Sequence, residues 1–135
     1  MLKLHLMESH CLPVLLYATT ALNFNREQLR DLNAGWNSVY RRIFGFNKWE
    51  SVKLFIAGLG RLDFKSLRSY LCLKFYKAGS LSDNTVFRNV MNHYLFSTEF
   101  KEICNAYKVT NVQFLSMSVS QLKKCVFDDF LNKSL

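Results

Sequence analysis

One proline and five glycines in 135 residues leave this chain little turn-forming punctuation. Sandwiches and barrels need many such turns, so the composition argues for helices. Long apolar runs are missing too. The longest clean one is Leu12 to Ala18, far short of the roughly 18–20 residues of a membrane span. A secretory leader finds little support: Met1-Leu2-Lys3 opens like one, but His5, Glu8, Ser9 and His10 break the apolar centre. The four cysteines form no CxxC unit and sit inside apolar runs, where a free thiol behaves as a small hydrophobe. Buried, reduced thiols are expected, in an intracellular protein of the nucleus or cytoplasm with no membrane partner.

Catalytic constellations are equally scarce. Two-metal polymerases and nucleases need clustered carboxylates. The only tandem acids here are Asp128-Asp129, preceded by Val126-Phe127 inside a predicted terminal helix. Reverse transcriptases instead place an aromatic residue, a spacer and two aspartates on a hairpin, with another aspartate upstream. The pair therefore reads as solvated helix surface. His5, His10 and His93 lack metal-ligand spacing. Gly58-Leu59-Gly60 has no strand before it and reads as a helix stop rather than a phosphate loop. No catalytic residue, metal site or cofactor is expected.

What is abundant is apolar and basic. Half the residues are hydrophobic, and twelve are Phe, ample for a packed core. The net charge is +8, enough to attract polyanions. Residues 1–80 hold twelve of the bases against five acids, and the stretch from Arg41 to Lys77 holds nine bases against Glu50 and Asp63.

Periodicity places the helices. Residues 2–18 form a first helix with Pro13 inside it, where proline kinks or divides a helix. Val14 to Tyr17 is apolar all round, which predicts deep burial. Asn25 and Gln28 have capping-box spacing, and Gly45 suits a helix end, so the clearest helix spans 26–44. Its apolar stripe is Leu29, Leu32, Trp36, Val39, Tyr40 and Ile43. Further helices are predicted from Trp49 to Ala57, from an Asp63 cap to Ala78, from Asp83 to Phe96, from Thr98 to Tyr107, and from Ser118 or Ser120 to Asn132. A short strand pair is an alternative for 109–119.

On the helix 26–44, Arg26, Arg30, Asn33, Asn37 and Arg41 form a ridge about 120° from the apolar stripe, at 100° per residue. Glu27, Asp31 and Arg42 lie on the remaining flank. Arginine forks and asparagine amides suit a phosphate backbone, although a solvated helix face has the same look. Lys65 and Arg68 follow on the helix after Asp63, with Lys48, Lys53 and Arg61 in the connection. Phe46 and Trp49 are the aromatic residues best placed for exposure, and stacking on bases is one use for them.

Several stretches are familiar in this order. Leu12-Pro13-Val14-Leu15-Leu16-Tyr17 resembles the P-x-L-L-Y segment that follows the polymerase core in non-LTR (LINE-type) retrotransposon reverse transcriptases. Tyr40-Arg41-Arg42-Ile43-Phe44-Gly45 resembles that family's R-R-I-F-G segment. Trp49-Glu50-Ser51-Val52 and Gly58-Leu59-Gly60-Arg61-Leu62-Asp63-Phe64 continue the order, so the resemblance covers 2–78. The family often has Gly where this chain has Ala18. The resemblance implies a helical thumb gripping the template–primer duplex, with the palm and fingers that carry catalysis expected upstream of Met1.

Together these readings predict an all-α bundle of about five to seven helices. Residues 1–79 make a basic thumb-like bundle and 80–135 a helical extension, with the seam at Gly79 to Ser82. The expected function is non-catalytic binding of the backbone of an RNA–DNA or DNA duplex through Arg26, Arg30, Asn37, Arg41, Lys48, Lys53, Arg61, Lys65 and Arg68. The alternative is a structural or protein-interaction module that binds no nucleic acid.

Overall fold

A computed structural model describes residues 1–17, 19–20, 22, 24–94 and 98–135. Among these residues the chain is all-helical, with no strand. The first helix is composite: α1 (Leu2–Leu6), a π-helical turn (Met7–Cys11) and α2 (Leu12–Leu16) follow without a break. The π-turn ends just before Pro13, which lies in the first turn of α2. A proline has no N–H and crowds the carbonyl four residues back, so the wider turn falls where the α-ladder is hardest to keep. Beyond it come α3 (Arg26–Phe44), α4 (Lys53–Gly58), α5 (Phe64–Ser80), α6 (Thr85–Tyr94), α7 (Thr98–Ala106), α8 (Asn111–Ser116) and α9 (Val119–Ser134). This segmentation is finer than the expected five to seven helices.

Caps explain most of the boundaries. The Asn25 side chain accepts from the Gln28 N–H at 2.8 Å, and the Gln28 side chain accepts from the Asn25 N–H at 3.0 Å. Gly45 ends α3 at φ 74, a left-handed conformation that favours glycine. Asp63 caps α5 by accepting from the Ser66 N–H at 2.9 Å. Ser118, rather than Ser120, opens α9, accepting from the Gln121 N–H at 3.2 Å.

Several expected boundaries move. α4 starts at Lys53 instead of Trp49 because residues 47–50 close a turn of their own. α6 starts at Thr85 rather than Asp83, since Asn84 accepts from the Phe87 N–H at 3.0 Å and caps it. The predicted end of that helix at Phe96 lies outside the described residues, as does Ala18. Gly79 does not stop α5; it is buried one residue before the helix ends. The strand pair weighed for 109–119 is a helix instead: Thr110 and Gln113 form a reciprocal capping box at the start of α8.

The chain divides into two compact units. The first comprises Met1–Arg68 and Phe130–Leu135, the second Ser69–Asp129. In the first, Leu4, Met7, Trp36, Tyr40, Val52, Ile56, Leu62 and Phe64 are buried. Its rings chain together from Trp36 to Tyr40 to Phe44 to Phe55, with Phe44 and Phe55 centroids 4.7 Å apart in edge geometry. In the second unit the buried set includes Cys72, Tyr76, Met91, Phe100, Cys104, Phe114, Leu122 and Val126. Tyr76 meets Phe100 edge-on, and Phe100 meets Phe114 at 5.2 Å.

Two expectations about burial are corrected. Cys72 and Cys104 are buried, but Cys11 is exposed and Cys125 lies between. The apolar run ending at Tyr17 is not deeply buried: Val14 and Tyr17 are largely exposed, and α2 has no fully buried residue. A run apolar on every side can bury only the face that meets neighbours, and here Leu12, Leu15 and Leu16 are the half-buried members.

Candidate nucleic-acid interface

The basic candidates lie in the first unit. α3 carries the ridge, and its orientation decides which members reach solvent. Trp36, Asn37 and Tyr40 are the buried residues of α3. Their mean direction is rotated roughly 60° from the predicted stripe toward the ridge, at 100° per residue. The near edge of the ridge is consequently used for packing. Asn37 is 8% exposed, and the half-buried Asn33 accepts a hydrogen bond from the Lys65 N–H at 3.2 Å. Arg26, in the first turn of the helix, and Arg30 remain exposed, and Arg41 is half-buried.

Arg30 reaches Glu27 and Asp31 at 3.8 Å each, with all three side chains at least 71% exposed. The expected separation of bases from acids on α3 is therefore incomplete. Pairs this exposed are worth less than about 1 kcal/mol and yield readily to a stronger anion. Arg41 donates from Nε to the Glu50 carbonyl at 2.9 Å, which ties the ridge to the loop after α3. Lys48 is exposed in that loop, its Nζ 5.1 Å from the Trp49 ring centroid. Lys53 is exposed at the first position of α4, and Lys65 at the second of α5.

Arg61 and Arg68 are used differently. Arg61 is paired with Glu8, its Nε donating to the carboxylate at 2.5 Å. Both charges act on Tyr40, which is 1% exposed. Burial first, and the Glu8 charge second, push the Tyr40 phenol up to about 12, while Arg61 opposes them. Arg68 is 3% exposed, donates to the Leu22 carbonyl at 2.9 Å, and lies 5.1 Å from the Phe24 centroid. It holds the segment before α3 in place, and with Asn37 it is withdrawn from any surface contact. Spacing did not reveal this, because a guanidinium's carbonyl partner lies 46 residues away.

One contributor was missed. Glu50 accepts from the Asn47 N–H at 2.6 Å and gives Arg41 its carbonyl, so it shapes the loop that presents Lys48 and Trp49. Its signal was the Asn-x-x-Glu spacing, the same as at the α3 cap.

In the second unit Asp128 and Asp129 lie within α9 as expected, beside the fully buried Val126. Burial, then Asp129 and Asp128, push the Cys125 thiol up. Among the described residues no group of histidine, cysteine and acidic side chains has the arrangement to hold a metal ion. No described helix is long and apolar enough to cross a membrane.

No family model, curated protein or solved structure matches the chain.

Proposed function

We propose that this chain is a thumb-like segment of an RNA-directed DNA polymerase of the non-LTR retrotransposon kind, non-catalytic by itself, that binds the template–primer backbone. The observation that carries the reading is the exposed cationic series of the first unit. Arg26, Arg30, Lys48, Lys53 and Lys65 are exposed and Arg41 half-buried, in a segment whose motifs run in the family's order. Asn33 and the Arg41–Glu50 contact tie the three chain segments that bear these bases into one unit. Backbone contacts of this kind position a duplex without reading its sequence. The thumb reading also gives the compartment, nucleus or cytoplasm, and the partner domains, a palm and fingers.

A titration of the chain with a labelled RNA–DNA duplex, followed by fluorescence anisotropy, tests this. Binding with little sequence preference is expected. No binding at low salt would sink the reading.

A second reading has its own observation. Leu2, Leu6, Val14 and Tyr17 are exposed along the first helix, the kind of apolar surface that marks a protein contact. In this reading the chain is a structural or interaction module. Oligomers on size exclusion that form without nucleic acid would favour it.

A further inference from the structure

The loop between α3 and α4 is built as a rigid turn. Glu50 accepts from the Asn47 N–H at 2.6 Å and from the Asn47 Nδ2 at 3.3 Å. The Glu50 N–H donates back to the Asn47 carbonyl at 3.1 Å. Arg41 holds the Glu50 carbonyl, and Phe46 packs on Phe55 with centroids 5.0 Å apart. The loop is thus fastened to α3 at one end and to α4 at the other.

At its tip stands Trp49, 87% exposed. The other tryptophan, Trp36, is 4% exposed and belongs to the core. An indole has much apolar area to gain from burial and is on average highly buried. A fixed and exposed one has already lost the backbone freedom that binding would otherwise take away.

Its surroundings select the kind of partner. From Arg41 to Lys53 there are four bases and one acid, Glu50. That acid is consumed in closing the turn. Lys48 sits over one face of the indole, which leaves the opposite face to a planar group. A flat ring amid positive charge fits a nucleobase with its phosphates better than an apolar protein surface.

We propose that Trp49 is a stacking platform for an unpaired nucleobase, with Lys48 and Arg41 placed for the flanking phosphates. This rests on the nucleic-acid reading above and adds to it a single-strand subsite next to the duplex-binding ridge. Stacking of this kind tolerates any base, because every base has a π-face.

Three probes test it on the full chain: a blunt RNA–DNA duplex, the same duplex with a single-stranded overhang of about four to six nucleotides, and the free single strand. Trp36 is buried, so quenching of the exposed indole reports on Trp49. The overhang is expected to tighten binding by about tenfold or more and to quench the emission. Trp49→Leu should bind both duplexes alike, at the native affinity for the blunt one, and Trp49→Phe should keep part of the advantage. Circular dichroism should show both variants as stable as the native chain, since the side chain is outside the core.

Equal native affinity for blunt and overhanging duplexes overturns the stacking site and leaves the duplex reading standing. So does an overhang advantage that survives in Trp49→Leu. Single-strand binding through Trp49 with no duplex binding supports the stacking site and sinks the duplex reading. Binding to none of the three overturns both. A dimer that forms without nucleic acid and disappears in Trp49→Leu assigns the indole to a protein contact and overturns the proposal.

Discussion

The Lys65 backbone N–H donates to the Asn33 side-chain oxygen at 3.2 Å, joining the first turn of α5 to the middle of α3. The first N–H groups of a helix have no partner within it. Asn33 supplies one from a residue 32 positions earlier in the chain. Asn33→Ala should lower stability by about 0.5–1.5 kcal/mol, read as a shift in the urea midpoint. Because the same bond sets Lys65 against the ridge, duplex affinity should fall as well, even where the variant is fully folded.

Arg68 is expected to matter for folding and not for binding. Its guanidinium donates to the Leu22 carbonyl and faces the Phe24 ring. Arg68→Met keeps the length of the side chain and removes the charged donor. Stability should drop by about 1–3 kcal/mol, measured by chemical denaturation. The salt dependence of duplex binding should stay as it is. A shallower dependence would return Arg68 to the interface.

That case shows where the sequence is readable and where it stops. The limits of α3 were legible, because Asn25, Gln28 and Gly45 act within a few residues of the backbone they satisfy. Its direction was not. The apolar stripe predicts a buried face, but Asn37 is buried and Asn33 half-buried, with the start of α5 bonded to Asn33, and docking is decided by partners far along the chain. Arg68 and Arg61 looked like any other bases until Leu22 and Glu8 were seen against them. α8 was missed because a six-residue helix has too few turns to show a period, although its Thr110–Gln113 box was there to find.

Gly79 has a packing reason to be glycine. A Cβ there would lie 2.1 Å from the Met91 Cγ and 3.1 Å from its Cβ. The Met91 Cβ is fixed by its backbone, and its Cγ can leave only by a χ1 change in a side chain that is itself buried. Two effects oppose each other in Gly79→Ala. Helix propensity favours alanine by about 1 kcal/mol, while overpacking costs about 1–3 kcal/mol. The clash is severe enough that the second should win, giving a net loss of stability in a thermal melt. Adding Met91→Ala should make the Gly79→Ala change neutral or favourable, a coupling that a double-mutant cycle reads directly.

Raising the pH should lower the stability of the chain over two overlapping windows set by two buried acids. Burial raises the Tyr40 phenol from 10.0 to about 12, and burial raises the Cys104 thiol from 9.0 to about 11. In each case the folded state holds its proton after the unfolded state has released it. Stability therefore falls as pH rises, from about 9 to 11 through Cys104 and from about 10 to 12 through Tyr40. Below those windows both contributions are fully present. Tyr40→Phe should flatten the fall in the upper window, followed by circular dichroism across the pH series.

In the proposed interface, side chains of the first unit neutralise phosphates. With about five contacts, log K for an RNA–DNA duplex should fall against log salt with a slope of about −4 to −5. Replacing Arg26, Arg30 and Lys65 together by glutamine should make that slope shallower by roughly 2–3, since each lost contact removes about 0.9. A native slope near zero, or a slope that the triple substitution leaves untouched, would contradict the account.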